Sequence, residues 1–304
     1  MIIPFLDGFL GFSKVPITWL IILLNVFFFS QNYQLSKQCT DQFQQWYEDE
    51  DFMYSQGQIY RQFAKGREVA NVKRVDVLGI LAFSDFDFLL KAPDMNFSGD
   101  QVAIKDWRED LELFQSIKGF YPPMYFGVSA ENKDILSMVS YQFFHEEFLH
   151  MFGNLLLVLL VGGFLERKFS GLTVFTVYIL GGAIAAFLFI HWQGATAAPL
   201  VGASGSLCAL LGFLFVVSFF EKTRLMYVIL PSPKYMGYVF VPTAYWVLWL
   251  CMMEDFSGLI SKPASLSSGV AHLVHLFGFI AGMALAYIYL ELAKRKGIAS
   301  LQKT

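Results

Sequence analysis

Three short stretches of this chain carry side chains suited to nucleophilic chemistry. Val201-Gly202-Ala203-Ser204-Gly205-Ser206 stands at the mouth of an apolar run that ends near Phe220. A glycine-flanked serine there has two readings, helix packing or a nucleophile. The choice turns on His150-Met151-Phe152-Gly153-Asn154 and on His275-Leu276-Phe277-Gly278-Phe279-Ile280-Ala281-Gly282, each near the start of its own apolar run. Polar and ionisable groups inside such runs are costly and mark a functional site by default. The chemistry they suit is acyl transfer. Ser204 would be the nucleophile and His275 the base that takes its proton. His150 and Asn154, with the Ser204 backbone N–H, would hold an oxyanion.

The bulk of the chain tells how those residues must be positioned. Of 304 residues, 56% are hydrophobic and 15% charged, a composition that points to a polytopic membrane protein. A spanning helix needs roughly 20 mostly apolar residues. Candidates lie at about 16–30, 148–165, 171–191, 201–220, 236–253 and 268–291. The first run lacks a basic leader and a small-x-small cleavage site, so a retained helix is expected. Small residues in the third run, Gly181-Gly182-Ala183 and Ala185-Ala186, permit close helix approach, and Pro242 implies a kink or late start in the fifth.

Arg167 and Lys168 follow the second run, Lys222, Arg224 and Lys234 follow the fourth, and Lys294, Arg295, Lys296 and Lys303 follow the sixth. The positive-inside rule then makes both termini cytoplasmic. Runs two, four and six all enter from outside, which puts His150, Ser204 and His275 at a common depth, on the order of 5–10 Å below the outer boundary. Asn154 shares a helix face with His150. No Asp or Glu falls in the outer half of these three runs. Glu166, Glu221 and Glu291 lie at inner ends, and only Glu254 and Asp255 are near the outer side. A Ser-His dyad is expected, not a triad.

Residues 32–147 are too many for a turn. They carry 11 Lys/Arg against 19 Asp/Glu, a balance of −8, which leaves +5 for the rest of a chain whose formal net charge is −3. Helices are expected at 42–54, 55–65, 75–91 and 106–118, with a break at Pro122-Pro123. The many aromatics disfavour disorder. The expected organisation is therefore 1–31 with the first membrane helix, 32–147 as an acidic, largely helical extracytoplasmic insertion, 148–292 as the core with helices two to six, and 293–304 as a basic tail.

Competing chemistries fare worse. His145-Glu146 opens like a zinc-binding HExxH, but position 149 is Leu and the next histidine is His150, which does not put both rings on one metal face. No metal or other cofactor is expected. Cys39, Cys208 and Cys251 make no disulfide framework, and nothing suggests a nucleic-acid partner. His145 is expected to order the loop by hydrogen bonding. His272, three residues before His275 on nearly the same face, is the alternative base.

These residues together resemble the rhomboid family of intramembrane serine proteases. Gly202-Ala203-Ser204-Gly205 is similar to its GxSG motif, His145 through His150 to Asn154 to its H-x4-H-x3-N segment, and His275, Gly278 and Gly282 to its catalytic-histidine helix. Gly162-Gly163 and Glu166-Arg167 resemble the family's end of the second helix. The resemblance covers roughly 124–292 plus the first run. It implies an all-α, six-helix bundle, no cofactor, and cleavage of transmembrane substrates near their outer end, where they unwind at small residues. It also favours His275 over His272.

The chain departs from the family pattern at three places. Glu146-Glu147 replaces small residues, Cys208 stands where certain members have a tyrosine that stacks on the catalytic histidine, and Leu136-Ser137 replaces a Trp-Arg pair. An inactive relative that binds and escorts membrane helices is the alternative reading, against which the four intact polar residues argue. A bacterial inner membrane is the expected location.

Overall fold

In lipid, backbone N–H and C=O groups must be satisfied within the protein, which favours helices. The computed structural model describes residues 2–4, 14–129, 131–193, 199–228, 236–260 and 271–295. The expectations for Lys234 and for the tail from 296 onward lie outside the described residues.

The elements follow in order as β1 (Ile2–Pro4), α1 (Pro16–Glu48), α2 (Glu50–Phe63), α3 (Val75–Ala82), α4 (Phe86–Lys91), α5 (Gln101–Lys118), α6 (Pro122–Phe126) and α7 (Ile135–Ser140). Then come α8 (Phe148–Lys168), α9 (Gly171–Gln193), α10 (Ser204–Val217), β2 (Lys222–Val228), β3 (Met236–Pro242), α11 (Thr243–Ile260) and α12 (Ala271–Arg295), with short 3₁₀ turns including Tyr141–Phe143. The fold is all-α in class. Four described helices are long and apolar enough to cross a membrane: Pro16–Glu48, Phe148–Lys168, Gly171–Trp192 and His272–Arg295.

Several boundaries differ from the sequence reading, each for a local reason. The first helix does not end at Ser30-Gln31-Asn32 but continues to Glu48, so the division expected at 31/32 falls inside α1. Ser30 and Asn32 return their side chains to the carbonyls of Phe27 and Phe28, so polar residues sit on the helix without breaking it. The break comes at Asp49, whose extended backbone and carboxylate cap α2 through the Phe52 N–H. Asp85 likewise splits the expected 75–91 helix by capping Phe88 N–H, and Asp100 starts α5 early by capping Val102 N–H. The fifth run shows the late start, because residues up to Pro242 pair in β3.

Three hydrophobic cores result among the described residues, the smallest gathering Val128, Tyr141, Ala185, Ala186, Phe189, Leu200 and Val274. One joins α1, α8, α9 and α10 with part of α11 and α12, and includes Ile21, Val158, Tyr178, Leu207, Leu211, Phe213 and Val247. The second gathers Cys39, Phe52, Phe83, Phe88, Trp107, Leu111, Phe114 and Tyr121, all between the C-terminal half of α1 and α6. At the opposite end β1, β2 and β3 form a small antiparallel sheet in that order, which the periodicity did not show. Near that end Glu166 accepts from the N–H groups of Ile17 and Thr18 at 2.9 and 2.7 Å and from the Thr18 hydroxyl, capping the α1 N-terminus.

Helix α10 lies at the centre. Its residues Gly205 to Leu214 are all buried. It meets α12 backbone to backbone. A Cβ on Gly278 would stand 2.2 Å from the Gly205 carbonyl oxygen, and one on Gly282 would stand 1.9 Å from that of Ala209. Gly212 returns the contact against the Phe279 oxygen at 2.1 Å. On the other flank, α9 brings Gly181 against the Ala209 Cβ. Small residues thus set the helix spacing.

Gly282→Ala is therefore expected to destabilise the protein by about 2 kcal/mol or more, because backbone and not a flexible side chain must yield. Gly153→Ala, where a Cβ meets nothing within 4 Å, is the control and should not lower the midpoint of thermal unfolding in detergent.

Candidate functional site

The serine stretch begins as extended chain and turns sharply into α10. Leu200 exchanges two backbone hydrogen bonds with Val128, at 2.7 and 3.0 Å. Gly202 then adopts φ +125°, a conformation L side chains rarely take, and donates its N–H to the Tyr141 carbonyl at 2.9 Å. Ala203 occupies the N-cap, and Ser204 is the first residue of the helix. The first-turn N–H groups of a helix have no intrahelical acceptor, so they favour negative charge.

His150, in the first turn of α8, lies across this turn. A Cβ at Gly202 would stand 3.4 Å from His150 Cε1, 3.8 Å from its Nε2 and 3.9 Å from Ser204 Oγ. Only a residue without a side chain leaves that space open between the ring and the hydroxyl. His150 is exposed and Ser204 half-buried, so both can be reached.

His145 sits behind them, 6% exposed, with its ring edge-on to that of His150 at 5.5 Å. Its Nε2 accepts the Ala203 N–H at 3.2 Å, which fixes that nitrogen as unprotonated. The Asn154 amide, 3.3 Å from the same nitrogen, must then donate to it. The proton resides on Nδ1. Burial, with the neighbouring His150 second, lowers the His145 pKa to about 3, so the ring is neutral at physiological pH. Asn154 itself is 4% exposed. Of the two residues expected to hold an oxyanion, His150 faces the open side and Asn154 braces the turn from beneath.

Helix α12 brings the third group. Val274 Cγ1 lies 2.9 Å from where a Gly205 Cβ would be, and Gly278 lies against the Gly205 carbonyl. His275 is thus on the one turn of α12 that passes the start of α10. It is half-buried and within electrostatic range of His150. His272 is also half-buried, one turn earlier. Cys208 is buried at 1% exposure, with its Cβ 3.3 Å from the position of a Gly278 Cβ. Among the described residues no group of His, Cys, Asp and Glu side chains could hold a metal ion.

Sequence reasoning missed the residues that anchor this turn from below. Gln142, fully buried, accepts the Ser206 hydroxyl at 2.8 Å and donates to the carbonyls of Met138 and Ile179. The Tyr178 hydroxyl donates to the Gln142 carbonyl and receives the Asn25 amide, so α1, α9 and α10 share one polar chain. The Tyr141 hydroxyl reaches the Gly182 carbonyl at 2.8 Å. The available signal was a polar pair, Tyr141-Gln142, set within an apolar and aromatic stretch just before His145.

Helices of membrane length around a short buried helix, with an accessible serine and two histidines gathered at its N-terminus, define a polytopic membrane protein with a polar site set into one end of its bundle. Residues 132–292 match the family model described as the Rhomboid domain, and the chain belongs to the rhomboid family. Over 161 residues it is 30% identical to mouse Rhomboid-related protein 2, an alignment covering 49% of this chain. The same alignment covers 46% of that relative, so the chain matches just under half of its length.

The buried neutral His145 makes stability depend on pH. The unfolded ring binds its proton near pH 6.5 and the folded one near 3, so stability falls as pH drops below 6.5 and levels off near 3. At pH 5 the loss from this group should be about 2 kcal/mol, at about 1.4 kcal/mol per unit. Glu146, whose pKa burial raises, acts with the opposite sign. Thermal unfolding of wild type and His145→Gln at pH 7 and pH 5 isolates the histidine, and the variant should lose less stability over that interval.

Proposed function

We propose that this protein is an intramembrane serine endopeptidase, cleaving transmembrane substrates near their extracytoplasmic end through a Ser204–His275 dyad. The observation that carries the reading is the convergence of His150 Nε2 and Ser204 Oγ on one point, the Cβ position at Gly202, from which they lie 3.8 and 3.9 Å. A scissile carbonyl seated there would lie between a nucleophile and an oxyanion donor.

In this reading His275 accepts the Ser204 proton as Oγ attacks, giving a tetrahedral intermediate. Its oxyanion takes hydrogen bonds from His150 and from the Ser204 N–H, with α10's N-terminus adding positive potential. Collapse releases the amine product, protonated by His275, and leaves an acyl-Ser204. Water then enters from the open side and hydrolyses it. Asn154 keeps the Ala203–Ser204 turn in register through His145.

The charge distribution supports the orientation. Phe169 and Phe213 both contact Tyr289, and Lys168 pairs with Glu221, so the ends of α8, α10 and α12 meet at one end of the bundle. Arg167, Lys168, Lys222, Lys294 and Arg295 belong to that end, opposite the site. The positive-inside rule makes it cytoplasmic. The core between residues 39 and 124 then lies outside, as a helical insertion over the catalytic face.

Labelling of the detergent-solubilised protein by a fluorophosphonate probe tests this. Wild type should label, and Ser204→Ala and His275→Ala should each lower labelling by at least about 100-fold. Absence of labelling in wild type, in detergent and in lipid, would favour an escort that binds membrane helices without cleaving them. Loss in His272→Ala with retention in His275→Ala would transfer the base to His272.

A further inference from the structure

We propose that Glu146 is a positioning residue of the serine site, through which the second core holds the segment that carries His145 and His150. That segment has no hydrogen-bond ladder of its own. Between the 3₁₀ turn Tyr141–Phe143 and the start of α8, Phe144 and Glu147 take extended backbone, with φ/ψ of −102°/140° and −122°/141°. Glu147 makes no side-chain cap to α8, whose third residue is His150. The placement of these residues must therefore come from what their side chains touch.

Side chains along extended chain alternate between two sides. His145 is turned to the serine turn, where its Nε2 accepts the Ala203 N–H at 3.2 Å. Its two neighbours are turned to α6. Phe144 is stacked on Phe126 with ring centres 4.2 Å apart, and Glu146 accepts the Tyr121 hydroxyl at 2.5 Å. Tyr121 and Phe126 are the N-cap and the last residue of α6, so the two ends of one short helix grip the residues that flank His145. The Ser140 hydroxyl adds a bond to the Phe126 carbonyl at 2.6 Å.

The donor is itself held firmly. Tyr121 is 7% exposed, with its ring edge-on to that of Phe43 on α1 at 5.4 Å. Its N–H donates to the Lys118 carbonyl at 3.1 Å, and its carbonyl accepts the Met124 N–H at 2.9 Å. Pro122, next in the chain, restricts Tyr121 to extended backbone. A hydroxyl fixed in this way aims the Glu146 carboxylate, and hydrogen bonds to a carboxylate are stronger than those between neutral groups. The constraint passes along the chain to His145 on one side and to the first turn of α8, with His150, on the other.

The kinetic test rests on the acyl-transfer reading above. Fluorophosphonate labelling of the full-length, detergent-solubilised protein is followed over time, giving a rate and a final extent. Glu146→Ala and Tyr121→Phe should each slow labelling about tenfold, part of the roughly 100-fold that misplacement by an ångström can cost. The final extent should match wild type, because the protein is folded and only its groups are misaligned. Glu146→Gln keeps an acceptor for the Tyr121 hydroxyl and should recover a rate within about threefold of wild type. The double variant Tyr121→Phe/Glu146→Ala should be no slower than either single one, since both remove the same bond. Glu109→Gln, exposed on α5, is the control and should label as wild type does.

Single variants that label at the wild-type rate overturn the proposal. So does a smaller final extent at unchanged rate, which would leave the bond a contribution to stability alone. A double variant slowed by the product of the two single effects overturns it too, because the groups would then act apart. If wild type does not label, the acyl-transfer reading fails by itself, and amide hydrogen exchange read by mass spectrometry decides instead. Tyr121→Phe should then speed exchange about tenfold in peptides spanning 144–154 and 200–206 and leave peptides of α9 unchanged. Wild-type exchange in both peptides overturns the proposal. The same comparison serves if Glu146→Ala fails to fold, because Tyr121→Phe removes only an oxygen atom.

Discussion

A helix too short for the membrane is the constraint from which the rest follows. Helix α10 has 14 residues, about 21 Å of rise against a hydrocarbon core of about 30 Å. With its C-terminus joined to β2 at the basic end, its N-terminus must stop well inside the bundle. The N–H groups of that end cannot be left to lipid. Around the start of the helix, polar groups meet protein: Tyr141 takes the Gly202 N–H and His145 that of Ala203, both just before α10, and Gln142 takes the Ser206 hydroxyl. The polar site is a consequence of ending a helix at that depth. Satisfaction alone does not call for His150, whose ring comes within 3.4 Å of the Cβ position at Gly202, the same point that Ser204 Oγ approaches to 3.9 Å.

The same constraint shapes the surrounding helices. A short central helix offers little side-chain area to its neighbours, so close backbone approach must do more. Gly278 and Gly282 on α12, and Gly181 on α9, meet this need. Polar chains add to it, as Asn25, Tyr178 and Gln142 link the first helix to α10 through buried bonds. Phe144, next to His145, is stacked on Phe126 of α6 at 4.2 Å and packs on Phe28 of α1 at 5.2 Å. Tyr121 of the second core donates to Glu146 at 2.5 Å. The segment that holds the serine turn is thus held in turn by α1, α6 and the second core.

How much of this was legible in the sequence depends on the range of the interactions involved. Membrane helices announce themselves by continuous apolar runs, and residues such as Ser204, His150 and His275 stand out because their surroundings make them expensive. Their expected common depth follows from helix rise together with the orientation that the loop charges imply. Breaks set by a single capping side chain, as at Asp49 and Asp85, were not legible, since an Asp in a polar helix looks no different from one on its surface. Nor was the sheet, because 236–242 is as apolar as a membrane helix and only its pairing with 222–228 makes it a strand. Gln142 was missed for a third reason. Its partners, Ser206 and Ile179, are distant in sequence, and a buried glutamine shows its role only once the fold supplies them.

The position of His275 illustrates how the fold compensates for a missing side chain. The family's alternative, an aromatic ring at position 208, would set a histidine by stacking. Here Cys208 is buried under α12, and the Cβ sites of positions 208 and 278 would be 3.3 Å apart. At that separation the helix carrying His275 is located by contacts on both sides of it in sequence, Val274 against Gly205 and Gly278 against the Gly205 carbonyl. Both anchors fall on the residue next to the serine. Any shift of α12 along α10 would drive a glycine Cα into a carbonyl oxygen, so the register of the two helices, and with it the level of His275 along α10, is set by backbone packing.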